Sequence, residues 1–194
     1  MIRIGKVHDA TFSLGCNAKM AQEGNMSDTS ARAAIIRGLE DSPIILKGLA
    51  EEISLEHLHV RRKQSFWSVA EHIVHLAEVQ PMILERLQRI KKEEVAEFIP
   101  FIPGKQEQPP EENNAPSMTV PEAVLAFASV RIEQVTLLKS LDAAGWAKQA
   151  VHPEYAKYGM AILARHILMH DHWHMYRVEE LWLTHDEFLT NLEG

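Results

Sequence analysis

Four stretches of this chain repeat apolar residues every three or four positions, and few of its segments favour β-strands. That period is typical of amphipathic helices, whose apolar stripes must pack against one another. The four stretches cover residues 29–53, 68–92, 119–140 and 160–183. The pattern therefore predicts an all-α protein that folds as one four-helix bundle.

Two helix starts are marked by capping boxes. Residues 68–71 (Ser-Val-Ala-Glu) and 119–122 (Thr-Val-Pro-Glu) each place Ser or Thr three residues before Glu. In such a box the hydroxyl accepts a bond from a free backbone amide, and the carboxylate accepts one in return. We therefore expect the second helix to start at Ser68 and the third at Thr119.

Prolines are expected to interrupt the helices at several points. Pro43 should kink or split the first helix, and Pro81 should bend the second while its apolar stripe continues. The proline-rich stretch at residues 95–118 is predicted to be a long loop between the second and third helices. A loop of that length usually wraps the surface or covers a site. Residues 141–159 form a second predicted loop.

The predicted bundle covers residues 29–184. Residues 1–28 show no clear period and are expected to form a poorly structured or variable N-terminal arm, and residues 185–194 a C-terminal tail. No secretory signal is recognisable in the first 25 residues, and no apolar run approaches the roughly 18–20 residues that span a bilayer. We expect a cytoplasmic protein that does not bind membranes.

Charge and cysteine content exclude several classes of function. The formal net charge is -7, which argues against nucleic-acid binding because phosphate neutralisation needs a positive face. The single cysteine, Cys16, permits no internal disulfide and no cysteine-based metal cage. Metal ligands, if present, must come from other side chains.

Histidine is concentrated in the fourth predicted helix, at positions 166, 170, 172 and 174. His170 and His174 are four residues apart, so their side chains start about 5–6 Å from each other on one helix face, and two imidazoles at that spacing can share a cation. Both lie within the apolar stripe of that helix, whereas His172 points away and His166 lies at its edge.

The second helix offers a third imidazole from either His72 or His75. His72 lies near the middle of the apolar face, and His75 lies toward its margin. Periodicity alone favours His72. A margin position, however, is where a site open to substrate must lie.

Two motifs resemble the DinB-like superfamily, also called the YfiT-like metal-dependent hydrolases. The first is Trp-Ser-Val at residues 67–69 followed by His75 and Leu76. The second is His170-Asp171 with His174. The resemblance covers roughly residues 29–183 and implies a four-helix bundle in which three histidines bind a divalent metal at an open edge. It therefore implies His75, His170 and His174 as the ligands, with nickel or zinc favoured and iron, manganese, cobalt or copper as further candidates.

Three nitrogen ligands leave coordination positions for water, which is the geometry of catalytic sites. Asp171 and Glu78 are candidates to orient the histidine rings, and no independent general base is evident. Activities in the resembled family include transfer of thiols such as bacillithiol, a mycothiol-dependent isomerisation and suspected hydrolysis. We therefore expect a hydrolase or thiol S-transferase that acts on a small molecule beneath the proline-rich loop, with any thiol supplied by a co-substrate.

Two other functions remain open. One is a non-catalytic metal-binding or stress-response module, in which His72 or a carboxylate would complete the metal's coordination. The other is a metal-free scaffold that dimerises through an aromatic face. Trp173, Tyr176 and Trp182 in the fourth helix are expected to pack against another helix or a second subunit, and a homodimer is predicted.

The remaining aromatic and histidine residues are assigned structural or surface roles. Trp67 is expected to anchor the end of the core. His166 is expected to be an edge or core residue, and His152 is expected to lie on the surface or in a loop.

Overall fold

A computed structural model of the chain describes residues 14–99 and 117–191, with side chains from residue 29 onward. It divides into a short unit, Met1–Ala34, and a main unit, Ile35–Gly194. The described part of the short unit is helical. The predicted division into arm, bundle and tail stays a prediction.

The chain is mostly helical, and the main unit is a four-helix bundle, as predicted. Its helices are α1 (Leu14–Glu52), α2 (Leu55–Leu58), α3 (Val69–Glu78), α4 (Gln80–Lys92), α5 (Val120–Lys139), α6 (Ala143–Ala147) and α7 (Met160–Leu183), followed by a 3-10 turn at Asp186–Phe188. Within the described ranges, none of these helices combines the length and the apolar character needed to cross a membrane. The bundle consists of α1, the α3–α4 pair, α5 and α7.

Both predicted capping boxes are present. Ser68 accepts a bond from the Glu71 amide while the Glu71 carboxylate accepts one from the Ser68 amide. Thr119 and Glu122 make the same exchange at the start of α5. The caps fix where α3 and α5 begin.

The two helix-interior prolines have different effects. Helix α1 starts earlier than predicted and runs through Pro43 without a break. The predicted second helix instead divides at Val79 into α3 and α4, with Pro81 in the first turn of α4. Proline lacks the amide that would bond to the carbonyl four residues earlier, and a helix start is where that loss costs least.

A small sheet occupies parts of both predicted loops. Strands β1 (Ala96–Glu97), β2 (Gln149–Val151) and β3 (Tyr158–Gly159) form it, with β1 parallel to β2 and β2 antiparallel to β3. Gly159 links β3 to α7, and a Cβ at this position would lie 2.4 Å from the Lys148 carbonyl oxygen. These segments were predicted to be loops, and their strands were not predicted from the sequence. The strands are too short to show a period in the sequence.

The core consists of two apolar clusters with a buried polar group between them. One cluster surrounds Leu76 and Phe127, and the other surrounds Leu87 and Leu138. Five buried polar side chains lie between these clusters along the bundle, and we call them the polar layer: Ser42, Gln80, Arg131, Gln134 and Asp171.

Candidate metal centre

The structure brings His75, His170 and His174 together between α3 and α7. One nitrogen from each ring lies within 4.8 Å of the other two. The Nε2 atoms of His75 and His170 are 3.4 Å apart. Two nitrogens bound to one zinc ion at its usual distance and tetrahedral angle are separated by about 3.3–3.4 Å. The donor set therefore fits a divalent metal of the zinc or nickel type.

Helix geometry explains why these three rings converge. His170 and His174 lie one turn apart on α7, and their ring centroids are 4.5 Å apart. Helix α3 packs across this face and places His75 with its centroid 4.7 Å from His174 and 5.4 Å from His170. His174 is buried, whereas His75 and His170 are half-buried. The group is therefore accessible from one side.

Burial keeps these imidazoles neutral. It lowers the pKa of His170 to about 4, with His75 and Arg131 adding to the effect. Burial also lowers the pKa of His75 and, more strongly, that of His174. Neutral imidazole carries a free lone pair, so each ring can act as a metal ligand near neutral pH.

His72 lies beside this group but faces one member of it. Its Nδ1 atom is 2.9 Å from Nδ1 of His174, and its side chain is fully buried. Burial lowers the pKa of His72 to about 3, and the charge of Arg177 adds to the effect. His72 therefore contacts the His174 ring through its Nδ1 atom. The structure groups His75 with the α7 pair, as the resemblance implied, rather than His72, as periodicity favoured.

Trp67 is a site residue that the sequence did not reveal. Its ring centroid lies 5.0 Å from that of His75 and 6.0 Å from that of His174, against which it is stacked. The indole therefore covers one side of the histidine group instead of only anchoring the core. Trp67 directly precedes Ser68, the cap of the helix that carries His75, and this position was the signal that could have placed it at the site.

Trp173 also contacts the group. Its ring meets His174 edge-on at 4.7 Å and lies 6.0 Å from His72 on α3. The expectation that it packs against another helix holds in this sense, since His72 belongs to α3. Its contact with the histidines was not predicted from the sequence.

Asp171 does not orient the histidines as expected. Its fully buried carboxylate pairs with Arg131 of α5, with an Oδ2–Nη1 distance of 2.7 Å. Burial raises the pKa of Asp171, and the guanidinium opposes that rise. Asp171 points into the polar layer because it is adjacent in sequence to His170, and adjacent helix positions face different directions.

Glu78 remains close to the site. Its exposed carboxylate accepts a hydrogen bond from Ser117, and its charge acts to raise the pKa of His75 against the effect of burial. Most of the proline-rich loop that was expected to cover the site lies outside the described residues, at positions 100–116.

The other histidines fall into two groups. His172 is exposed, as expected, and His166 is half-buried one turn before His170. His152 lies in a loop, which agrees with the expectation of a surface or loop position, but only 5% of it is exposed. It follows β2 and packs among aromatic rings described below.

The sequence matches the model of the DinB superfamily over residues 39–183. That range includes α3, α5, α7 and all three grouped histidines. The chain belongs to the DinB superfamily. No curated protein matches it.

The fold agrees with this DinB assignment. The structure is similar to YfiT from Bacillus subtilis, a probable metal-dependent hydrolase with an unusual four-helix bundle topology, with a TM-score of 0.66 and 18% sequence identity. The alignment covers 77% of this chain and 85% of YfiT. At that identity the likeness establishes the fold alone.

Proposed function

We propose that this DinB-superfamily protein is a metal-dependent enzyme of the hydrolase or thiol S-transferase type that acts on a small molecule. The observation that carries the proposal is the convergence of one nitrogen each from His75, His170 and His174 within 4.8 Å. Burying the polar nitrogens of three neutral imidazoles costs free energy, and a shared cation would offset that cost.

The three histidines would hold one divalent metal, with nickel or zinc preferred. When bound, such an ion supplies Lewis acidity that makes a water molecule or thiol nucleophilic near neutral pH. Three protein ligands leave room for the nucleophile or the substrate. The partial exposure of His75 and His170 supports access from that side.

Neighbouring side chains have separate roles in this proposal. His72 orients the His174 ring through the contact between their Nδ1 atoms. Trp67 excludes water from the face on which it stacks. Glu78, exposed beside His75, is placed to attract a positively charged group or to accept a proton on the open side.

The proposal includes either water or a thiol as the nucleophile. The sequence contains a single cysteine, Cys16, whose side chain is outside the described residues. A thiol would therefore have to be supplied as a low-molecular-weight co-substrate. Turnover assays with and without added thiol distinguish the two chemistries.

The non-catalytic alternative is less well supported. It requires a fourth protein ligand, either His72 or a carboxylate, and the Nδ1 atom of His72 faces His174 instead. A cobalt-substituted sample tests this directly. A spectrum that changes on addition of azide, which replaces bound water, supports the enzyme, and a spectrum that does not respond supports the module.

Metal analysis of matched variants tests the ligand assignment. We expect the purified protein to bind about one divalent ion per chain, and His170→Ala to lose it. His172→Ala is the control, because His172 lies on the same helix but is exposed. Equal metal content in all three proteins would contradict the assignment, and the absence of metal from all three would support the metal-free scaffold.

We also propose that the protein forms a homodimer through α7. Met169, Tyr176 and Leu183 follow one another at seven-residue intervals on this helix, and each is exposed. Such an apolar stripe is suited to packing on a second copy. Sedimentation analysis of the wild type and of Tyr176→Glu tests this, with a monomeric wild type as the opposing result.

A further inference from the structure

A second cluster of rings lies at the other end of the α7 histidine row. We call it the ring cluster, and its members are Phe98, His152, Tyr155, Tyr158 and His166. Tyr155 lies near its centre, with its ring 4.9 Å from His152, 5.3 Å from Tyr158 and 5.4 Å from His166. Tyr158 and His152 are buried, whereas 44% of Tyr155 is exposed.

Arg86 of α4 brings a positive charge to this cluster. Its guanidinium lies 5.5 Å from the centre of the Phe98 ring. It is also hydrogen-bonded to Tyr158, where it opposes the rise in pKa that burial causes, and its charge adds to the lowering of the pKa of His152 by burial. Among the described residues, no carboxylate forms an ion pair with Arg86. A half-buried cation without such a partner is suited to bind an anion.

Arg89, one turn away on α4, provides an informative contrast. It lies over the same Phe98 ring at 4.8 Å, but both ends of its guanidinium bond to the Glu93 carboxylate. Arg89 is therefore satisfied within the protein. Of the two arginines over this ring, Arg86 is the one without a carboxylate partner among the described residues.

The ring cluster adjoins the grouped histidines. His166 precedes His170 by four residues on α7, and His170 precedes His174 by four. Side chains at this spacing are neighbours on one helix face, with Cβ atoms about 5–6 Å apart. A small molecule held by the ring cluster would therefore lie beside the proposed metal ligands.

We propose that Arg86 and the ring cluster bind a small anion that carries a planar ring, of the aromatic carboxylate class. The guanidinium would pair with the carboxylate, and the exposed Tyr155 ring would stack on the planar portion. The charge of the neighbouring Glu154 carboxylate acts on His152. It therefore disfavours a ligand that carries a second negative group near His152. The identification of this ligand as a substrate rests on the proposed function. Its binding to Arg86 and the ring cluster does not require the metal.

The alternative is that the rings only support the small sheet. Tyr158 and His152 are buried and contribute to that support in either case. A structural role alone does not require an arginine without an acidic partner or a half-exposed tyrosine at the centre of the cluster. Ligand binding separates the two interpretations, since a purely structural cluster binds no anion selectively.

Titration with benzoate, followed by ligand-observed NMR on the full-length protein, tests the inference. We expect saturable binding with a dissociation constant at or below about 1 mM, equivalent to about 4 kcal/mol. Arg86→Met should weaken binding at least about tenfold. Arg89→Met is the matched control and should leave it unchanged. Cyclohexanecarboxylate and benzamide, which lack the planar ring and the charge respectively, should each bind more weakly than benzoate.

A second variant keeps the inference testable if Arg86→Met does not fold. Tyr155→Ala removes a half-exposed ring and should weaken benzoate binding several-fold while leaving the circular dichroism spectrum and melting temperature near those of the wild type. Phe188→Ala, which removes an exposed ring from the 3-10 turn after α7, is its control. Equal benzoate binding by Arg86→Met and Arg89→Met, or no saturable binding to the wild type, would overturn the inference.

The test of the anion site can be distinguished from the test of the proposed metal site. His170→Ala should lose metal yet retain benzoate binding, since Arg86 and the ring cluster are intact in it. Benzoate binding that disappears with the metal would show coordination to the ion and contradict the ring cluster as the site. Retained metal in His170→Ala would instead contradict the ligand assignment and leave the anion site standing.

Discussion

The histidine group and the polar layer lie side by side in the bundle, yet they satisfy their polar atoms in different ways. In the polar layer, the Arg131 guanidinium meets the Asp171 carboxylate, and Gln80 accepts bonds from both Arg131 and Gln134. In the histidine group, three neutral rings present nitrogens to one another, and a fourth neutral ring, that of His72, faces His174.

The two groups differ in how the free-energy cost of burying their polar atoms is offset. Opposite charges in the polar layer compensate each other's desolvation. Among the described residues, no such ion pair includes a member of the histidine group. His170 and Asp171 are adjacent in sequence but belong to different sites, because successive residues of a helix face different directions.

The largest expected effect comes from breaking the polar layer. Arg131→Met leaves the Asp171 carboxylate buried without its partner, which should lower the free energy of unfolding by about 3–5 kcal/mol. Urea denaturation measures this. The double variant Arg131→Met/Asp171→Leu removes both charges and should recover most of the loss. A double variant as unstable as the single one would show that packing, not charge, holds this layer.

Metal should stabilise the histidine group but not the polar layer. At a free zinc concentration about 100 times the dissociation constant, binding should raise the free energy of unfolding by about 2.7 kcal/mol. Thermal unfolding would then shift upward by about 5–10 °C. The shift should vanish in His170→Ala and persist in His172→Ala. An equal shift in both variants would place the metal elsewhere.

The contact between His72 and His174 can be tested separately. His72→Phe keeps a ring of similar size but removes the nitrogen that faces His174. If His72 orients a metal ligand, metal affinity should fall about 10–100-fold. A competition titration with a chromogenic chelator measures this. Unchanged affinity would mean that packing alone holds the His174 ring in place.

The smallest effect is expected at the two helix caps. Ser68→Ala and Thr119→Ala each remove one side-chain cap and should each cost about 1 kcal/mol. Only Ser68 starts the helix that carries His72 and His75, so Ser68→Ala should also weaken metal binding. Parallel chemical denaturation and metal titration of the two variants test this. Equal metal affinity in both would indicate that the start of α3 does not control the site.

Local patterns in the sequence predicted the parts of the fold that depend on neighbouring residues. The extent of α7, both capping boxes and the closeness of His170 to His174 follow from helical spacing and cap chemistry, and the structure confirms each. The choice between His72 and His75 did not follow from spacing. It depends on how α3 crosses α7, and the family resemblance supplied that information.

Other features depend on contacts between distant residues. The pairing of Arg131 with Asp171 joins two helices that are far apart in the chain, and neither residue belongs to a recognisable motif. The stacking of Trp67 on His174 is similar. The strands of the small sheet were missed for another reason, since two or three residues are too few to show alternation.

The placement of Trp67 has a practical consequence. Its indole lies 5.0 Å from His75, and a second indole, that of Trp173, lies 4.7 Å from His174. Two of the four tryptophans are thus within quenching range of any paramagnetic ion bound by these rings. The chain carries its own fluorescent indicator, so that occupancy by copper, nickel or cobalt can be followed from intrinsic emission without attaching a dye.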